Sequence, residues 1–249
     1  MAPRKQHGFT LVEIAIVLVI IGLLLGGILK GQELITSARV RNLITQIDGV
    51  KSAYYGFQDR YRALPGDFTQ ADTQIPGETQ GANVDGNGNG EIEASATGPN
   101  GTVNESILVW DHLSHAGFIN GTYTYAGTST INSSTNPMNP WNAPVQLIYD
   151  NVYADSANPT GVSGVACTTL SCRHNFKTGN QIPVEILAEV DRKIDDGNPL
   201  TGSVRFSAYA NTAGGATAPT AATCVNSSVT PATWLSGSGQ ANCGAAILY

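Results

Sequence analysis

Several things are scarce in this chain, and each scarcity excludes something. No proline falls between Pro3 and Pro65, so one long helix can run through that interval without a break. No lysine or arginine occurs across residues 63–172, although that stretch holds ten carboxylates. The net charge is −6, so a broad basic surface of the kind that binds nucleic acid is not expected. Charged residues make up only 13% of the chain while glycine reaches 28 residues, which suits strands and long surface loops better than a helical bundle. Cysteine is limited to four residues, Cys167, Cys172, Cys224 and Cys243, and neither close pair has metal-ligand spacing. Three pairings are open. Cys167 with Cys172 and Cys224 with Cys243 is the simplest, because those partners are close in sequence. An oxidising compartment would close them. No internal repeat, serine-nucleophile motif or phosphate loop is found. Asp111, His112 and His115 are too few for a catalytic set, so an enzyme is not expected. The two histidines lack an evident third zinc ligand and are expected as capping or surface residues.

What the chain does have is one long apolar run. From Phe9 to Leu29 only Thr10 and Glu13 are strongly polar, and as a helix this run spans roughly 30 Å, a bilayer core. Residues 1–8 carry Arg4 and Lys5 and no acid, as a cytoplasmic flank does. A secretory signal is the rival explanation. The run is long for one, however, no small-x-small cleavage site follows, and the helical pattern continues past Lys30. Glu13 stands out, because a carboxylate at the centre of such a segment costs about 2.5–3.5 kcal/mol and less near its edge. A cut after Gly8 would create an α-amine on Phe9, one turn below Glu13. In a staggered polymer, a neighbour's amine could lie level with that carboxylate.

The string Gly8-Phe9-Thr10-Leu11-Val12-Glu13, after a short basic leader and before an apolar run, resembles the class III signal of type IV pilins and type II secretion pseudopilins. The close likeness covers residues 1 to about 65. It implies cleavage after Gly8 by a prepilin peptidase, N-methylation of Phe9, and assembly aided by Glu13 meeting a neighbour's N-terminal amine. It implies further partners: identical or related subunits through their N-terminal helices, an inner-membrane assembly platform, and the membrane itself. The implied location is the inner membrane with the head outside the cytoplasm, then an extracellular or periplasmic filament. One departure is that many major pilins carry a proline within the apolar segment. Here only Gly22, Gly26, Gly27 and Gly31 weaken that helix.

Past Lys30 the apolar residues Val40, Leu43, Ile47, Val50, Tyr54, Phe57, Tyr61 and Leu64 recur at steps of three and four, a single stripe on one helical face. Pro65-Gly66 should end the helix. The expected divisions are a leader (1–8), a transmembrane or filament-core half-helix (9–29), an amphipathic half-helix (30–64) and a loop-rich head (65–249). The expected fold is α+β, with the helical spine packed against a small antiparallel sheet, as in pilins. A short helix is expected over residues 105–118, with Gly117 near its C-cap. Residues 145–153 and 203–209 should be strands, and residues 183–191 fit strand or short helix. The three together would make the sheet. The Cys224–Cys243 loop would resemble the terminal disulfide loop of pilin heads.

Asp85, Asn87, Asn89, Glu91 and Glu93 place oxygens at alternate positions, with Gly90 sixth and Ile92 eighth, like the start of an EF-hand calcium loop. The twelfth position is Ala96 rather than Glu, so another acid such as Glu105 would have to contribute. No cofactor is required by this pattern; Ca²⁺ is the ligand it would take. The region's uncompensated acid suits either a solvated surface or a site where a cation or a neighbouring subunit's basic helix supplies charge. Two functions share these features: a filament subunit, or a membrane-anchored, calcium-dependent adhesin or binding protein that does not polymerise.

Overall fold

The structure is a computed structural model that describes residues 11–78, 83–127, 130–161, 172–210 and 217–249. The chain divides after Arg39 into two units. Helix α1 (Leu11–Tyr61) is a single 51-residue helix that includes Gly22, Gly26, Gly27 and Gly31. Up to Arg39 almost every described side chain is exposed, including Leu23 and Leu29. From Val40 on, the stripe expected from the sequence faces inward. Val40, Leu43, Ile47, Val50, Tyr54 and Phe57 are buried, and Tyr61 and Leu64 pack on the same core. Fully burying a leucine or phenylalanine side chain stabilises by about 1.5–3 kcal/mol, so this face is the head's chief anchor. The helix ends at Tyr61. Arg62 takes a left-handed φ of 55°, three residues before the Pro65-Gly66 stop.

The remaining elements of the head are α2 (Ala71–Gln74), β1 (Ala96–Gly98), β2 (Gly101–Val103), α3 (Glu105–His115), β3 (Gln146–Asp150), β4 (Arg173–Lys177), α4 (Val184–Ile194), β5 (Val204–Phe206), α5 (Ala221–Cys224), β6 (Val225–Asn226), β7 (Thr233–Trp234) and β8 (Ala245–Leu248). The principal sheet is antiparallel, in the order β3-β4-β8-β5. Leu147, Phe176, Ile247 and Val204 pair across it in one row, and all four join the core that the α1 stripe enters. Two smaller antiparallel pairs, β1-β2 and β6-β7, complete an α+β, pilin-like fold.

The sheet differs in membership from the one expected. Residues 184–194 form α4, not a strand. Pro183, which has no N–H to leave unsatisfied, sits just before the first turn. Glu185 lies in that first turn and Arg192 and Lys193 in the last, matching the helix dipole. Its place in the sheet is taken by β4 and β8. Strand β4 has one large apolar residue, Phe176, and its buried Lys177 is satisfied by Asp150 Oδ1 at 2.8 Å and the Val152 carbonyl at 3.1 Å. Cys224 and Cys243 are joined in a disulfide, as local pairing anticipated. Cys172 is also disulfide-bonded, and Cys167 lies outside the described residues.

Candidate functional site

Two regions bear on function, and each is built locally. The first is the apolar half of α1. Glu13 lies in its first described turn, followed by Ile14, Ile16, Val17 and Leu18, all at least 47% exposed. That much exposed hydrocarbon on a continuous helix is far more than a soluble monomer leaves uncovered. The segment is long and apolar enough to cross a membrane. Gly8 and Phe9 lie outside the described residues, so the structure speaks only to the helix that follows them.

The second region is the acidic loop between α2 and α3. Two carboxylates outside the Asp85–Glu93 run hold it. Asp67 Oδ1 accepts the N–H groups of Gly88 (2.6 Å) and Asn89 (3.1 Å), and Oδ2 accepts that of Gly90 (2.9 Å). Glu105, fully buried at the start of α3, accepts the N–H groups of Asn87 (2.9 Å) and Glu93 (3.0 Å). Burial pushes the Glu105 carboxyl up to about 7; the two N–H donors oppose that rise, and Asp67 and Glu93 add to it. Burial likewise raises Asp67, against its three N–H donors. The loop also passes very close to the chain after α1. A Cβ on Gly86 would lie 2.3 Å from the Gly66 carbonyl oxygen, so no larger residue fits there.

Within the run, Asn87 and Asn89 both donate through Nδ2 to Glu93 Oε2, at 3.0 and 2.9 Å. Their own side-chain oxygens accept the N–H groups two residues on, those of Asn89 and Glu91. Asp85 turns elsewhere, accepting the Asp72 N–H at 3.1 Å and the Asn100 amide at 3.0 Å, and burial raises its pKa. Ile92, the eighth position, is fully buried in the core, and its carbonyl accepts the Tyr149 N–H. The structure thus brings Asn87, Asn89 and Glu93 together with Glu105, and places Asp85 apart from them. Sequence reasoning missed Asp67. Its only signal was its place directly after Pro65-Gly66, where the chain must turn.

The histidines differ from expectation. His112 is neither a cap nor a surface residue. It is fully buried and stacked on Phe57, its Nδ1 accepts the Gly66 N–H at 2.9 Å, and its Nε2 lies 2.7 Å from the Val84 carbonyl. Burial lowers its pKa to about 4, so the ring is neutral and serves to pin the turn at Gly66. His115, one turn on, faces Asp111 and Glu78 instead. The helix then closes with Gly117 at φ 78°, and the Phe118 N–H bonds back to the Leu113 carbonyl, the expected glycine stop.

A head folded onto the amphipathic part of a helix whose upstream part is bare hydrocarbon defines a pilin-like class. Residues 3–29 match the prokaryotic N-terminal methylation motif, the signal of type IV pilins and pseudopilins. The motif supports reading the chain as the precursor of a type IV pilin-like or pseudopilin protein. No curated protein and no solved structure matches the chain significantly.

Proposed function

We propose that the chain is a structural subunit of a type IV pilus-like or type II secretion pseudopilus filament. A prepilin peptidase cuts after Gly8 and methylates the amine of Phe9. The helix then leaves the inner membrane through the assembly platform and packs among the helices of other subunits. Glu13 meets a neighbour's N-terminal amine and sets the stagger between copies. One observation carries this reading: over the described part of the methylation motif, from Leu11 to Leu29, the helix exposes its large apolar side chains. Identical helices can cover that surface once it leaves lipid.

Mass spectrometry of the mature chain should begin at N-methyl-Phe9. An intact Met1 terminus in a host with the peptidase overturns the precursor reading. Glu13→Ala should leave processing intact and lower incorporation into sheared filaments by tenfold or more. Normal incorporation would favour the anchored, non-polymerising binding protein.

Calcium at Asp85, Asn87, Asn89, Glu91 and Glu93 is part of the same proposal and rests on the sequence run. The donor chemistry suits a hard cation, with Glu105 as the added acid, provided that Asp85 turns from the Asp72 N–H and the Asn100 amide to join Asn87, Asn89 and Glu93. Millimolar Ca²⁺ should raise the melting temperature of the wild type and not of Asp85→Ala. An equal or absent shift in both removes the site.

A further inference from the structure

On α3, Asp111 and His115 stand four residues apart and so share a helical face. Glu78, in the turn after α2, meets them there. His115 Nδ1 lies 2.6 Å from Asp111 Oδ1 and 3.1 Å from Glu78 Oε1. The carboxylate side chains are 4% exposed for Glu78 and 2% for Asp111, while that of His115 is 25% exposed. Despite these short separations, none of the three atoms has a hydrogen-bond partner of acceptable geometry. The imidazole nitrogen and the two oxygens lie within 4.8 Å of one another, close enough to share one ion, yet no hydrogen bond of acceptable geometry joins them. Three buried polar atoms left in that state would cost several kcal/mol. An ion at their common point would satisfy all three.

The surroundings fit such a role. Asp111 Oδ2 accepts the Tyr125 N–H at 2.7 Å, which orients the carboxylate and leaves Oδ1 for the shared point. Gly77, at φ 93°, lets the turn approach the ring of His115, where a Cβ would come within 3.1 Å of Cδ2. The segment supplies no lysine or arginine to balance the two acids. Arg60 of α1 reaches the Ala116 carbonyl rather than either carboxylate.

We propose that Glu78, Asp111 and His115 bind one divalent transition-metal ion of the zinc class, with water on the exposed side of His115. Imidazole nitrogen beside two carboxylate oxygens selects zinc-like ions over calcium, which takes oxygen ligands. Ligand atoms about 2.0–2.2 Å from a tetrahedral zinc stand roughly 3.3 Å apart, so the Asp111–His115 pair, at 2.6 Å, must open by about 0.7 Å and the Glu78–His115 pair, at 3.1 Å, by about 0.2 Å. His115 would ligate through Nδ1 and carry its proton on Nε2. The ion would clamp the turn after α2 to α3, stabilising the head by mass action without any part in filament chemistry.

The full chain, purified in detergent micelles and stripped with chelator, should take up one Zn²⁺ per chain with micromolar or tighter affinity in competition with a chromophoric chelator. Glu78→Gln and His115→Gln should each weaken binding by about 100-fold or more. Asp191→Asn, in the separate acidic group Asp191/Asp195/Asp196, should change nothing. Millimolar Ca²⁺ should not displace the zinc. Melting in chelator shows whether each variant keeps the metal-free fold. X-ray absorption on the zinc-loaded wild type gives a readout that needs no variant, and it should show one imidazole nitrogen among oxygen donors. No saturable zinc binding, undiminished binding in both variants, or an all-oxygen shell would overturn the site.

Discussion

Helix α1 offers an internal comparison, because its two parts share one backbone and differ in what their apolar residues do. Up to Arg39 the large apolar side chains of the described residues are exposed. From Val40 to Phe57 a single stripe is buried, and the opposite face carries Asp48, Lys51, Asp59 and Arg60 in solvent. The stripe works for this chain's own stability. The all-round surface works only when something outside the chain covers it, first lipid and, on our proposal, neighbouring helices. Substitutions should therefore separate the two cleanly.

The largest effect belongs to the stripe. Phe57 is fully buried against Phe68, Phe118 and His112. Phe57→Ala should destabilise the head by about 3–5 kcal/mol, read by denaturant unfolding with tryptophan fluorescence. A loss below about 1 kcal/mol would mean that the head does not depend on the helix, and the comparison would fail.

A smaller effect lies in a part of the head that the stripe does not explain. Burial pushes the Asp191 carboxyl on α4 up to about 6, against hydrogen bonds from Trp234 and Gly197, and Asp195 and Asp196 add to the rise. Because the folded value lies above the ordinary 3.8, the folded state holds this proton more tightly than the unfolded one. Its contribution is complete below about pH 3.8 and fades as pH rises through about 6. Asp191→Asn keeps an acceptor for the Trp234 indole and cannot titrate. Between pH 4 and 7 its stability should improve relative to wild type by about 1–2 kcal/mol. A pH-independent difference would mean that the carboxyl is not held up by burial.

Legibility followed the same division. The α1 stripe could be placed residue by residue because a period of three and four over two dozen positions has no competing explanation. The loop's oxygen-rich run was equally visible, but its organisers were not. Asp67 and Glu105 act by accepting backbone N–H groups across 21 and 18 residues of chain, and nothing in local spacing encodes that. The sheet was half legible. Strand β3 shows a clear apolar run, whereas β4 is a strand because β3 and β8 flank it, and tertiary pairing outweighs its polar composition. Residues 184–194 fit two periods equally, and the proline before them and the charge order along them decided for helix. His112 was misplaced because nothing in the local sequence marks it as buried and its neighbour His115 as only partly so. Only the arrival of Gly66 and Val84 at its two nitrogens shows that it belongs to the core.

The smallest expected effect tests the other half of the comparison. Leu23 is 73% exposed. Leu23→Ala removes as much side chain as a core truncation that would cost 2–5 kcal/mol. Here it should move head unfolding by less than about 0.5 kcal/mol, because neither the folded nor the unfolded head encloses it. Membrane insertion should also survive, since one leucine contributes only a few tenths of a kcal/mol to the apolar run. What remains for that side chain is contact with other subunits, so any loss should appear in the yield of sheared filaments alone. A leucine-to-alanine change at Leu43 should reverse the pattern, weakening the head first and filaments only as a consequence. If Leu23→Ala lowered the melting temperature of the head as Leu43→Ala does, the two parts of the helix would be one cooperative structure, and their division of labour would be wrong.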